Sequence, residues 1–465
     1  MSKLLDRLYE KSPILLQELA LNGYALGIHF ERFGREFHDL LEYWHKTEWF
    51  AYSDLIELQN EKLRTLIKHV YETVPYYQKI MKERKLTHVD FKTVNDLYKL
   101  PVLTREDVRL NLDNLISSKF ERSELRHGHT SGTTGSPLQF YWDKHCCLVN
   151  NVADWRQKNW AGLNYGDKYA VILGRTIVPI SQEKPPFWRM NYLHKQLWFS
   201  AFHMTEENLR FYLEKLEEYE PLVLEGYPST LFILAKYLTS HNKTFSLKAA
   251  LTSSETLHEA QRGIIEKAFC CPVFDYYGLA ERTIFTTECE KHCGHHINME
   301  YGIVELMNNS GEPVGKDKMG KMVGTSLHNY GMPFIRYATN DVSSILPVSC
   351  SCGRELPLMS DVTTKAEDII VTRDRGYISP SVLTHPFKPL NGVKASQIIQ
   401  EDINHIIIKI VRTPEYTKEN TRLLLDAMKK RLGNNMDIDI QFVESIPRTS
   451  AGKFRWIISK VPLQL

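Results

Sequence analysis

A chain of 465 residues is longer than one compact core accommodates, so two or three domains are expected. With 43% hydrophobic and 25% charged residues it has the composition of a folded globular protein, which excludes an intrinsically disordered one. Basic and acidic residues nearly cancel, 58 against 56, for a net charge of +2, and no basic excess points to a nucleic-acid partner.

The first residues, Met1 to Gly27, intersperse Asp6, Arg7, Glu10, Lys11 and Glu18 among apolar positions. They lack the uncharged core and small-residue cleavage site of a secretory signal. No apolar run approaches the ~18–20 residues needed to span a bilayer. The expectation is a cytoplasmic protein with reduced thiols, in which residues 1–60 form a helical extension packed on the main body; membrane-surface contact by an amphipathic helix is the alternative.

Further along, Ser53–Val74 reads as a helix capped by Ser53, with Leu55, Ile56, Leu63, Ile67 and Val70 on its apolar face. Tyr169–Leu173 reads as a buried strand. Thr205 caps a helix carrying Leu209, Leu213 and Leu216, and Leu222–Leu224 is a strand entering the Gly226-Tyr-Pro-Ser229 turn. Strands alternating with helices predict an α/β core with a mostly parallel sheet. The tail differs: a strand at Ile406–Val411, a helix over Thr417–Leu432 closed by Gly433, and an alternating strand at Ile438–Phe442. These predict a small C-terminal α+β domain, with the boundary near Lys365–Asp368. The expected division is an extension over 1–60, a core over 61–366 and a small domain over 367–465.

The most pronounced local motif is Thr130-Ser-Gly-Thr-Thr-Gly-Ser-Pro137. Gly132 and Gly135 allow tight turns that present backbone N–H groups, while Ser131, Thr133, Thr134 and Ser136 add hydroxyls. Such a loop can cradle phosphate, although the same residue types also make an ordinary polar turn. It is not a Walker A loop, which ends in Gly-Lys-Ser/Thr. Three motifs follow in order: Tyr276-Tyr-Gly-Leu-Ala-Glu281, Arg336-Tyr-Ala-Thr-Asn-Asp341 and Pro447-Arg-Thr-Ser-Ala-Gly-Lys453. They supply an aromatic face with a carboxylate suited to Mg²⁺, a carboxylate suited to a ribose diol, and a lysine in a glycine-containing loop.

In this order the four motifs resemble the adenylate-forming superfamily of acyl-CoA synthetases, adenylation domains and luciferases. Val74-Pro-Tyr-Tyr77, Gly226–Ser229, Met332–Tyr337 and Cys350-Ser-Cys-Gly-Arg354 are most similar to the phenylacetate-CoA ligase group, in its CapK-like branch linked to capsular polysaccharide biosynthesis. The resemblance implies a large N-terminal α/β adenylation domain and a mobile C-terminal lid. It also implies ATP and Mg²⁺ as cofactors, a small carboxylic acid as substrate, and a thiol such as CoA as acceptor. Amide formation on an amino acid or amino sugar and a catalytically silent nucleotide-binding scaffold are the alternatives. By the same resemblance Ser131–Ser136 would hold the phosphates. Ser253, Ser254 and Glu255 would line the adenine pocket with Tyr276, Tyr277 and Gly278, and Glu281 would bind Mg²⁺. Asp341 would take the ribose hydroxyls, Lys365 the hinge position beside Glu367, and Lys453 the α-phosphate and the substrate carboxylate. Three positions depart from the pattern. Ser136 replaces a frequent Lys. Asn340 replaces a Gly, as the next-best residue for a left-handed backbone. Thr364-Lys365 replaces Gly-Arg, and Lys lacks the guanidinium fork.

A second constellation joins Cys289, Cys293, His295 and His296 to Cys350 and Cys352. Two groups of soft ligands suit a structural, tetrahedral Zn²⁺ site. Metal-carrying relatives favour Cys289, His296, Cys350 and Cys352, with Cys293 or His295 as substitutes. The lone His127 and His129 read as structural; His203 reads as structural or as a wall of the acyl pocket.

Overall fold

The computed structural model describes residues 8–130, 138–308, 310–362, 370–374, 376–378, 380–387, 389–447 and 455–461. A nine-stranded sheet organises the large part of the chain. Its centre runs Gln196–Ser200, Tyr169–Leu173, Val223–Gly226, Ala249–Ser253 and Val273–Gly278, all parallel. Antiparallel strands finish both sides: Trp188–Asn191 on one, and Phe285–Glu288, His295–Ile297 and Leu358–Met359 on the other. The central strands are mostly apolar because helices cover both faces. Ala170 and Ile172 pack with helices Glu206–Tyr219, Pro228–Ser240 and Glu259–Phe269. Tyr169 and Val171 point the other way, toward Lys144–Trp160 and Arg35–Thr47. The α/β fold class anticipated above is the one observed.

The N-terminal residues do pack on this body. The helix Ile14–Arg32 covers the edge strand Trp188–Asn191, where Asn22 donates to Met190 O at 2.8 Å and accepts from Tyr192 N at 2.8 Å. Side-chain amides thereby satisfy backbone groups that an open edge would leave exposed. The next long helix runs Tyr52–Thr73 and starts from Ala51, not Ser53. The predicted cap is wrong because Glu355, three hundred residues away, accepts from Tyr52 N at 2.6 Å and does the capping from outside. Among the described residues no helix is long and apolar enough to cross a membrane.

Beyond the sheet, Gly302–Met307, Gly320–Ser326 and Tyr337–Ser343 form a three-stranded antiparallel sheet. The tail forms a four-stranded sheet in the order Asp437–Phe442, His405–Arg412, Val393–Asp402, Ile457–Ser459. Across it lies the helix Lys418–Leu432, whose N-cap Thr417 accepts from Asn420 N and whose C-cap Gly433 has φ 98°. That is the α+β character expected of this segment.

Candidate functional site

In open parallel sheets, ligands gather at the carboxyl ends of the strands. Here those ends are Leu173, Gly226, Ser253 and Gly278. The motifs of the sequence meet at them. Glu255 accepts from Ser229 N at 3.1 Å, joining the Ser253–Glu255 segment to the Gly226–Ser229 turn. Ser253 pairs in register with Tyr276. Ser254, Arg282 and Arg336 hold positive φ at 69°, 56° and 55°. Such conformations are unfavourable for side-chain-bearing residues and concentrate at functional sites.

Two crossed hydrogen bonds define the centre. Tyr277 donates its hydroxyl to Asp341 Oδ2 at 2.7 Å, and Tyr337 donates to Glu281 Oε1 at 2.7 Å. The segment 277–281 is thereby tied at both ends to the segment 337–341. Burial, reinforced by the neighbouring carboxylates, pushes both phenols well above their ordinary range, so both stay protonated donors. Glu281 is only 7% exposed. Arg336, next to Tyr337, clamps Glu305 with two bonds of 3.1 Å and donates to Leu100 O at 2.6 Å, so it fastens this loop to the body. Asn340 lies inside the strand Tyr337–Ser343. In the same segment Arg336 holds a left-handed backbone.

The cysteine–histidine constellation also assembles. Cys289, His296, Cys350 and Cys352 bring one donor atom each within 4.8 Å of one another. Cys289 Sγ lies 3.6 Å from Cys350 Sγ, and Cys352 Sγ 3.5 Å from His296 Nε2. A tetrahedral zinc with bonds of ~2.3 Å to sulfur and ~2.0–2.1 Å to nitrogen sets neighbouring donors ~3.5–3.8 Å apart. The donor set therefore fits that ion. His296 donates from Nδ1 to Leu356 O at 3.1 Å, which turns its Nε2 lone pair toward the thiols. Burial pulls its pKa down to about 4, keeping the ring neutral. Lys291 N and Arg354 N each donate to a cluster sulfur at 3.4 Å. Neither suggested substitute takes part. Cys293 is exposed and turned to Lys291 O, and His295 faces Asp361 and Asp275 at 3.5 and 3.7 Å. His295 and His296 are consecutive in one strand, so the two rings face different sides.

Between the helices Ile14–Arg32, Lys144–Trp160 and Lys418–Leu432 and the sheet lies a cavity of about 1240 Å³, lined by Tyr276 and Phe285 among others. Within it Lys158 meets Asp154 at 2.7 Å and Glu225 at 3.2 Å. The sequence reading missed these three residues, although Glu225 directly precedes the quoted Gly226 turn. His203 is not on this wall: it is buried, stacked on Phe187 at 5.0 Å and bonded to Ser200 at 2.7 Å, as a structural histidine. The predicted phosphate loop Ser131–Ser136, the hinge residues Lys365 and Glu367, and Lys453 lie outside the described residues.

Comparison with known proteins agrees with this architecture. The fold is that of 2-hydroxyisobutyryl-CoA ligase, solved with 2-HIB-AMP and CoA in the thioesterification state: TM-score 0.61 at 17% identity, over 89% of this chain and 92% of that one. In sequence the chain is 26% identical to the phenylacetate-coenzyme A ligase of Thermus thermophilus over 344 residues, 68% of this chain and 71% of that protein. It is a homologue of Protein CapK of Staphylococcus aureus, 29% identical over 470 residues, 98% of this chain and all of CapK. Residues 370–460 match the CapK C-terminal domain family.

Proposed function

We propose that this chain is an AMP-forming acid ligase, which activates a carboxylic acid as its acyl-adenylate and passes the acyl group to a thiol. The observation that carries this reading is the pair of crossed tyrosine–carboxylate bonds, 2.7 Å each, at the carboxyl ends of the parallel strands. In this reading Asp341 accepts from the ribose diol and Tyr277 lies against the base, beside Ser253–Glu255. Glu281 offers its carboxylate to Mg²⁺, which when bound neutralises phosphate charge. The loop Ser131–Ser136 holds the phosphates through backbone amides. Lys453 stabilises the charge that develops as the substrate carboxylate attacks the α-phosphorus in line and pyrophosphate leaves. Attack of the thiol sulfur on the acyl carbon then expels AMP. The core spans 61–366 and the lid 367–465. Relatives named as coenzyme A ligases favour CoA as the acceptor over an amine. A zinc ion on Cys289, His296, Cys350 and Cys352 braces the strands beside the site and takes no part in the chemistry.

The test is acid-dependent exchange of labelled pyrophosphate into ATP across an acid library, followed by product analysis with CoA and with amines. Exchange with at least one acid, lost on Glu281→Gln, is the expected outcome. No exchange with any acid, together with tight ATP binding, would establish the silent scaffold instead.

A further inference from the structure

The wall of the 1240 Å³ cavity is charged in a way that a simple apolar acid does not explain. Three arginines of the core line it, each from a different element: Arg32 from the N-terminal helix, Arg175 after the strand Tyr169–Leu173, and Arg282 after Glu281; Arg422, Lys430 and Arg431 of the tail helix line it as well. Among the described residues none of the three core arginines forms an ion pair. Arg175 lies over Trp198 at 4.8 Å and Arg282 over Trp142 at 3.9 Å, contacts that orient a guanidinium without cancelling its charge. Arg32 Nε is buried and has no hydrogen-bond acceptor. Burial pulls the Arg32 guanidinium below its usual range, and the like charges of Arg282 and Arg175 add to that pull.

Among the other charges of the wall, Arg422 meets Asp426 at 3.3 Å, while Lys430 and Arg431 add to its basic side. Lys158 is held between Asp154 and Glu225, and burial pushes the Glu225 carboxyl up, which brings this trio toward neutrality. Lysines and arginines outnumber carboxylates on this wall by seven to four, and an anion that meets the guanidiniums gains charge-assisted hydrogen bonds. Strand geometry separates this space from the nucleotide side. Tyr276 lines the cavity, while its neighbour Tyr277 points to the opposite face and holds Asp341.

We infer that this cavity receives the acid and selects one carrying a second anionic group, a carboxylate or a phosphate, with Arg32, Arg175 and Arg282 recognising that group. Only the fate of the first carboxylate rests on the adenylation reading. Phenylacetate, which has a single charge and an apolar ring, would leave the arginines unmet.

The full-length chain is titrated calorimetrically with matched acids: glutarate against valerate, 3-phosphoglycerate against glycerate, and phenylacetate. At least one dianionic acid should bind roughly tenfold or more tightly than its singly charged partner, because a site built for a group rejects the analogue lacking it. The two pairs separate carboxylate from phosphate. Arg32→Gln and Arg175→Gln should each shrink that preference, with little change in melting temperature, since Arg32 Nε has no partner to lose. Equal affinity within both pairs, tighter binding of phenylacetate, or variants that raise the KM for ATP while the preference persists would overturn the inference. Pyrophosphate exchange with the same acids separates the two readings. Selective binding without exchange refutes adenylation alone, and exchange confined to singly charged acids refutes the selectivity alone.

Discussion

Each hydroxyl of Tyr277 and Tyr337 can be removed by changing a single atom, which makes the centre of the site open to dissection. Tyr277→Phe leaves the ring in place but frees Asp341 Oδ2 from its 2.7 Å donor. If Asp341 binds ribose, its orientation is lost and the KM for ATP should rise several-fold, while the KM for the acid changes little. An unchanged KM for ATP would separate Asp341 from nucleotide binding. Tyr337→Phe acts on a carboxylate that is nearly inaccessible to solvent. A hydrogen bond to a charged group contributes ~1.5–3 kcal/mol. The Tyr337→Phe chain should therefore unfold at lower denaturant and need more Mg²⁺ for half-maximal exchange. A full-stability variant with normal Mg²⁺ dependence would show that Glu281 is held by something other than this bond.

At the scale of elements, the zinc cluster makes a sharp claim because its ligands come from the end of the strand Phe285–Glu288, from the strand His295–Ile297 and from the turn holding Cys350 and Cys352. Purified protein should contain about one zinc per chain. Cys350→Ser should lower both metal content and melting temperature, since structural zinc is coupled to folding. Cys293→Ser and His295→Ala should keep the metal, because those side chains face elsewhere. Metal loss in the latter two with retention in the first would reverse the assignment. This cluster was readable in the sequence because Cys and His at short spacing carry their chemistry in the residue type. Glu281 and Asp341 were readable for a similar reason, each ending a compact motif. The strand Tyr169–Leu173 came out residue for residue, since continuous burial leaves an unbroken apolar run. By contrast Val393–Asp402 is interrupted by Lys394, Ser396 and Gln397 and shows no clean alternation, although it is the long central strand of the tail. Arg32 gave no local signal at all. It sits among the polar positions of an ordinary helix, and only its neighbours from distant segments make it unusual. Tyr337 was inside a quoted motif, but its partner lies 56 residues away and no periodicity joins them.

For the whole molecule, the question is how Lys453 meets nucleotide held by the core. It belongs to the segment matched by the CapK C-terminal domain family, whereas Glu281 follows the last parallel strand of the large sheet and Asp341 lies in the three-stranded sheet. A lysine side chain spans only a few ångströms, so the proposed adenylation requires the tail to close over the core. Closure also blocks the acceptor from reaching the acyl carbon, and transfer then requires a second orientation. Such a change is absorbed at a few positions between elements, and the sequence assigns that role to Lys365–Asp368. Lys453→Ala should slow acyl-adenylate formation by roughly 10²–10³, the usual loss for one preorganised charge. Thiol transfer from supplied acyl-adenylate should fall far less. Glu367→Pro fixes φ at the proposed hinge and should damage one half-reaction more than the other. Distances between labels on residues 236 and 429 should change in two steps, on adding ATP with acid and then acceptor. Equal losses in both half-reactions for Lys453→Ala, with label distances constant throughout and normal turnover of the Pro variant, would leave a rigid enzyme in which some other cation serves the α-phosphate.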